Sequence, residues 1–268
     1  MRKIKILLLP VLFGLILIGT GCGEDKILLF SLKDDKQLGM QVSDEIASDP
    51  AYTILSETEY QEAYSYLNNM RDEILNADEV RYRDEFVWKM HIIQDDDVLN
   101  AFATPGGYIY IYTGLIKFLE TEDDLAGVMG HEIAHSDRRH SSQQLQRQYG
   151  ISILLGIVTG GDPGTLAQIA GQIAGTVAGL SFSRSLESEA DEYSVLYLAD
   201  TKYACNGAAT FFEKLEEAGT GSSLPAFLST HPPSDTRVQE INAQSNEIGC
   251  STQNVDPPTY EDLLTSLP

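Results

Sequence analysis

Apolar residues recur three and four apart along QLGMQVSDEIASD and SETEYQEAYSYLNNMRDEILNA, predicting helix from about Gln37 to Ala77. Ser56 and Glu59 have the spacing of a capping box at the start of the second helix. FVWKMHII (86–93) alternates in the manner of a strand, and NAFATPGGYIYIYTG (100–114) predicts two short strands around a Pro105-Gly106-Gly107 turn. Helices resume at Glu122, where Thr121 can cap and acidic residues fill the first turn. SFSRSLESEADEYSVLYLAD (181–200) and CNGAATFFEKLEEAG (205–219) read as two more, the latter stopping at Gly219. A last helix starts near Ser234 in STHPPSDTRVQEINAQ. No repeat recurs at a fixed period, so the pattern describes one α+β domain, mainly helical, with a small sheet.

Between Gly150 and Leu180 the chain is rich in glycine and alanine, apolar, and interrupted by Gly160-Gly161-Asp162-Pro163-Gly164. Its apolar pieces are too short for a bilayer span, which takes roughly 20 residues. Two readings stand: a close-packed helical hairpin, which the lengths favour, and a loop that touches a membrane.

The opening segment changes the setting. MRKIKILLLPVLFGLILIGTGC has basic residues, an apolar core from Ile6 to Ile18, then small residues up to Cys22, the layout of a secretory leader over 1–21. Gly19-Thr20-Gly21-Cys22 resembles a bacterial lipobox, with Gly19 where an aliphatic residue is usual, so Cys22 is the expected lipidation site. A plain cleaved leader would instead leave a free thiol in an oxidising compartment. Gly23-Glu24 after the cysteine is similar to outer-membrane sorting in enteric lipoproteins, which implies an outer-membrane lipoprotein facing the periplasm of a Gram-negative bacterium. Residues 22–41 then form a tether, and 42–268 the domain. Removing Arg2, Lys3 and Lys5 takes the formal net charge from −22 to about −25, which excludes attraction to nucleic acid or anionic lipid. Attachment to a membrane must therefore come from the lipid. Cys205 and Cys250 remain, read as one disulfide, with two buried thiols as the alternative.

The chemistry-bearing stretch is VMGHEIAHSDRRH (128–140). Residues four apart on a helix differ by about 400°, so His131 and His135 point the same way and can reach one Zn²⁺. Glu132 projects about 100° from His131, placing it beside the metal's water as a general base. Val128, Met129, Ile133 and Ala134 mark this turn as buried, where two imidazoles and a carboxylate are costly without a partner. His140 would lie about 900° along a continuous helix from His131, on the opposite face, and is discounted. The third ligand is best sought in ESEAD (187–191), where Glu187 and Asp191 share a face. Glu187 could complete a His₂Glu site, and Asp191 could accept the free N–H of a ligating histidine. Spacing alone leaves these acids equally readable as a solvated face, and it favours reading His231 in THPPSDTR as a surface histidine before a cap.

These segments resemble the HtpX and CAAX-prenyl-protease family of zinc metalloendopeptidases. HEIAH with its following RRH, ExxxD within FSRSLESEAD, NAFATPGGYIYIYTGLI and THPPSDTR all look like its BepA/LoiP-type branch, over roughly Val42 to Gln244. The resemblance implies a zincin-type domain holding one Zn²⁺ through His131, His135 and Glu187, with Glu132 as base and Asp191 behind the ligands. It makes His231 a histidine near the metal, either assisting catalysis or filling the open position. The multi-span segments of membrane-embedded relatives and the helical repeats of BepA-like proteins have no counterpart here. The expected substrates are therefore unfolded or misassembled envelope proteins, docked on a strand edge near Ala101–Ala103, with an outer-membrane assembly protein as a possible partner. Two other functions stay open: an envelope chaperone or scaffold with a latent, His231-capped site, and a purely structural zinc site.

Overall fold

Three strands, β1 (Lys89–Ile93), β2 (Ala101–Thr104) and β3 (Tyr108–Tyr112), form the sheet in the computed structural model, which describes residues 28–174, 181–218, 226–232, 236–253 and 260–268. Their order is β1-β3-β2, with β1 parallel and β2 antiparallel to the central strand. The turn between β2 and β3 uses Gly106 and Gly107 at φ 80° and 93°, conformations that glycine tolerates and other residues rarely do. β1 is shorter than the alternating pattern predicted, because Trp88 sits at φ 47° and breaks the extended run before Lys89.

Helices α1 (Leu32–Ser48) and α2 (Gln61–Leu75) precede the sheet, and α3 (Thr113–Phe118), α4 (Glu122–Asp137) and α5 (His140–Tyr149) follow it. Then come α6 (Ile151–Val158), α7 (Pro163–Ile173), α8 (Arg184–Leu198), α9 (Gly207–Ala218), α10 (Ala226–Thr230), α11 (Arg237–Ile248) and α12 (Tyr260–Thr265). The alternation in YIYIY decides which helices cover which face. Tyr108, Tyr110 and Tyr112 join Leu38, Val42 and Ile46 of α1 and the hairpin α6–α7 on one side. Ile109 and Ile111 join Leu67 and Met70 of α2 and Val128 and Met129 of α4 on the other. The hairpin expected between Gly150 and Leu180 is present as far as it is described. Residues 175–180, like the leader, Cys22 and the Ser234 helix start, lie outside the described residues.

Three boundaries differ from the sequence reading. The helix expected from Gln37 begins at Leu32, capped by Ser31, whose hydroxyl accepts from Asp34 N–H while the Asp34 carboxylate accepts from Ser31 N–H. Phe30 and Leu38 are buried, so the folded unit already includes residues assigned to the tether. Ser56 and Glu59 make no capping box; Glu59 N–H donates to the Ser56 carbonyl in a turn, and α2 starts at Gln61 without a side-chain cap. Thr121 caps α4 as expected, in a box with Asp124.

α4 is the element around which the rest is arranged, packing against α2, α5, α8, α9 and β2. Its close approach to α9 depends on Gly127, where a Cβ would stand 2.1 Å from Ala208 N. Cys205 and Cys250 are joined in a disulfide that ties the start of α9 to the end of α11. Because the clash at Gly127 is with backbone, Gly127→Ala should cost about 1–3 kcal/mol, read as a lowered urea midpoint of the metal-free protein. A midpoint unchanged from wild type would show that α9 can retreat freely.

Candidate metal centre

Two helices supply most of the site. α4 carries His131, Glu132 and His135, and α8, capped by Ser183, carries Glu187 and Asp191. They cross where Gly130 leaves room for Ser194, whose hydroxyl donates to the Gly127 carbonyl at 3.1 Å. That crossing brings His135 Nε2 to 3.4 Å and His131 Nε2 to 3.6 Å from the Glu187 carboxylate. The two Nε2 atoms are 3.0 Å apart, a separation suited to two ligands each about 2.0–2.1 Å from one Zn²⁺. His231, just past α10, brings its Nδ1 to 3.1 Å from Glu187 Oε1 and 3.3 Å from His131 Nε2. One donor atom from each of His131, His135, Glu187 and His231 lies within 4.8 Å of all the others.

The surroundings fit a cation. All four donors and Glu132 are buried. Burial holds His131 below the usual imidazole range and His135 well below it, which keeps both neutral and able to ligate. Burial alone would raise Glu187, but His231 and His135 hold its carboxyl well below the usual range. Glu132 is pushed up to about 7, first by burial, with the nearby His231 pulling the other way. Its Oε1 has no hydrogen-bond partner and stands 3.5 Å from His231 Nε2, itself without a partner. Orphaned buried polar atoms facing a cluster of imidazoles are what an ion and its water would satisfy.

Behind the donors runs a layer that helical spacing indicated only in part. Asp191 Oδ1 meets His131 Nδ1 at 2.9 Å, which fixes the tautomer with Nε2 as the free donor. Arg237 at the start of α11 grips Asp191 through Nε at 2.5 Å and Nη2 at 2.8 Å, and Nη2 also stands 2.8 Å from Glu187 Oε2. Sequence reasoning missed Arg237. The available signal was the arginine six residues after His231 in THPPSDTR, but only folding shows which carboxylates it meets.

His140 requires a correction. Arg139 adopts a left-handed conformation at φ 62°, so α4 ends and α5 starts in a new direction. The 900° expected of a continuous helix therefore does not apply. His140 is fully buried, with Nδ1 3.2 Å from His135 Nδ1 and Nε2 3.4 Å from Glu189, which Arg138 also contacts. It is not among the converging donors, but it backs one of them.

The site is covered in this structure. His231 stacks on Phe227 at 4.2 Å between ring centroids, and the Phe182 ring lies 4.0 Å from that of His135. Phe182 N–H donates to the Thr230 carbonyl, and Phe227 N–H to the Leu99 carbonyl. The β2 edge is engaged as well: the Ala103 carbonyl accepts from Ser141 Oγ at 3.1 Å, and Asn100 Nδ2 donates to the Ala174 carbonyl at 3.3 Å. An open cavity of about 300 Å³ approaches from the other side, between α8 and α11, past Arg184, Glu187, Asp191 and Arg237.

A buried histidine pair on one helix, a carboxylate from a second and a buried glutamate with one oxygen left without a hydrogen bond define a HExxH-type metallopeptidase site. The sequence profile of peptidase family M48 matches residues 64–245, and the chain belongs to that family, in agreement with the resemblance carried by its motifs. Among curated relatives, the mitochondrial metalloendopeptidase OMA1 of Schizosaccharomyces pombe is 31% identical over 159 residues, covering 58% of this chain and 45% of the relative. The beta-barrel assembly-enhancing protease of Escherichia coli K12 is 31% identical over 166 residues, covering 58% and 34%. A putative protease of the same name from Vibrio cholerae is 32% identical over 164 residues, covering 57% and 34%. The matches thus span less than half the length of these relatives.

If Asp191 orients His131, Asp191→Asn should weaken zinc binding about 10–100-fold, measured by competition with a chromogenic chelator. Equal affinity in the variant would show that His131 is held without it.

Proposed function

We propose that this chain is a zinc-dependent metalloendopeptidase of the bacterial cell envelope, cutting misfolded or unassembled envelope proteins. The observation that carries the reading is the convergence of His131, His135 and Glu187 with the partnerless Glu132 Oε1 beside them. Zn²⁺ held by those three residues would supply Lewis-acid activation of water and of the scissile carbonyl. Glu132 takes the proton of the attacking water and passes it to the leaving amine, a task that its buried position beside the converging donors suits. Asp191 and Arg237 keep His131 and Glu187 oriented while the proton moves. A purely structural zinc site would give Glu132 nothing to do.

His231 supports a latent resting form. Its Nδ1 aims at the same point as the three ligands, the position that water and substrate would need. Opening then requires the segment around Phe227–His231 to leave. This geometry also favours the second reading, an envelope chaperone or scaffold whose zinc site stays capped.

Location and partners are part of the proposal. A leader over 1–21, lipidation at Cys22 and outer-membrane sorting follow from the opening sequence. The likeness to beta-barrel assembly-enhancing proteases supports an outer-membrane assembly partner. The OMA1 relatives are named as mitochondrial, so the envelope assignment stands on the leader and the bacterial relatives together.

Glu132→Gln should retain one zinc per chain yet cut an unfolded protein at least about 100-fold more slowly than wild type. Undiminished cleavage, after contaminating proteases are removed, would end the catalytic assignment. His231→Ala should raise cleavage of the same substrate several-fold by freeing the fourth position, whereas a fall would make His231 an oxyanion donor. Full rescue of a deletion strain by Glu132→Gln would favour the scaffold reading.

A further inference from the structure

Asp162 is the single charged residue between Arg147 and Arg184, in a chain that is 22% charged with a formal net charge of −22. The hairpin α6–α7 occupies the middle of that stretch. One face of it is used in packing: Leu154, Ile157, Ile169 and Ile173 are buried in the cluster that includes α1. Gln41 of α1 ties down the end of α6 by donating to the Ile157 carbonyl at 3.2 Å. The flanks of that buried stripe are uncovered. Ile153 and Leu155 are 46% and 42% exposed, and Ile151, Val158 and Leu166 are only partly covered. A helix that served only the core would carry polar residues at 153 and 155.

The position of this face matters more than its composition. Leu29 N–H donates to Gln146 Oε1 of α5 at 2.9 Å, and Leu28 borders the same apolar cluster as Ile151 and Leu166. The chain therefore emerges toward Cys22 beside the hairpin. Six residues from Cys22 to Leu28 reach at most about 20 Å. A lipid on Cys22 would hold this end of the domain against the bilayer surface, and the hairpin, charged only at Asp162, lies at that end.

We propose that the uncovered side of α6–α7 is a bilayer-docking surface, with Leu155 inserted at the boundary of headgroups and acyl chains. The proposal rests on the lipid-anchor reading, because the anchor supplies the proximity. α6 is about 12 Å long, far short of a hydrocarbon core of about 30 Å, and no helix among the described residues is long and apolar enough to cross. The hairpin therefore lies in the interface, where an apolar patch adds a second attachment to a lipid chain. The acidic remainder of the surface is repelled by anionic headgroups, so this face sets the orientation. Docking there fixes the height of α5, which contributes His140 and Ser141 to the site.

The chain's single tryptophan, Trp88, is buried in the core, so an added one can report depth. Leu155→Trp in the full chain, purified from membranes and reconstituted into phosphatidylcholine–phosphatidylethanolamine vesicles, is compared in vesicles with and without brominated acyl chains. Ile248→Trp serves as control, on α11, which packs on α8 and α9. Co-sedimentation of wild type and Cys22→Ser reads the anchor separately. Bromine should cut the emission of the added indole roughly twofold in Leu155→Trp and leave it unchanged in Ile248→Trp, as for side chains at interfacial depth and in water. Sedimenting Leu155→Trp protein with no quenching would overturn docking while leaving the anchor intact. Equal sedimentation of Cys22→Ser and wild type would overturn the anchor reading, while quenching in Leu155→Trp would still uphold docking. A concentration-dependent shift of Leu155→Trp emission without vesicles, and no quenching with them, would overturn docking in favour of a second copy of the chain.

Discussion

The close crossing of α4 and α8 is the constraint on which the remaining architecture depends. Imidazoles on one helix and a carboxylate on another can share an ion only if the two backbones approach closely. Gly130 and Ser194 make that approach possible, with the Ser194 hydroxyl satisfying a carbonyl of the facing helix. Gly127, one turn earlier, does the same toward α9. α4 is buried along nearly its whole length because it is held from several sides at once. A site on so confined a helix has little freedom to distort, which is what preorganised metal binding needs.

Charge balance is the second constraint. Glu132, Glu187 and Asp191 are buried within one cluster, and Arg237 is the cation set directly against two of them. With all three ionised, two negative charges remain uncompensated, a costly state away from water. A divalent cation would cancel them. Without one, protons are drawn in: Glu132 is raised to about 7, by burial first, and His231 is raised against its own burial by Glu187 and Glu132. The residues behind the donors follow the same logic. The Arg237 guanidinium spans Asp191 and Glu187, so one side chain restrains one donor and the partner of another.

The local chemistry is legible in the sequence because it depends on helical spacing alone. HExxH and ExxxD each specify a face of one helix, and the PGG turn between alternating segments specifies a hairpin. Failures come where the backbone leaves its regular path or where partners are far apart. Spacing puts His140 on the wrong side because nothing in SDRRH announces that Arg139 turns left-handed. Arg237 and Asp191 are 46 residues apart in the chain, and their pairing follows from packing of α11 on α8. The start of α1 has a readable signal in Ser31 and Asp34, which the apolar periodicity further along outweighs. In NAFATPGGYIYIYTG the strands can be read but not their covers, since Ser141 and Ala174 belong to elements joined to β2 only by folding.

Those covers bear on how the site would open. Leu99, next to β2, accepts a hydrogen bond from Phe227 N–H, and Phe227 stacks on His231. The segment that places His231 over the ligands is thus fastened to the same stretch of backbone that would receive an extended substrate. A substrate strand added along Ala101–Ala103 competes for that edge with Ser141 and crowds the segment held at Leu99. If the proposed substrate pairing holds, closure and pairing would be alternatives, and binding at the strand would favour withdrawal of His231 from the other donors. On the proposed reading, a folded protein has no free strand to offer and would leave the closed form in place, so the proposed preference for unfolded chains would need no separate recognition pocket.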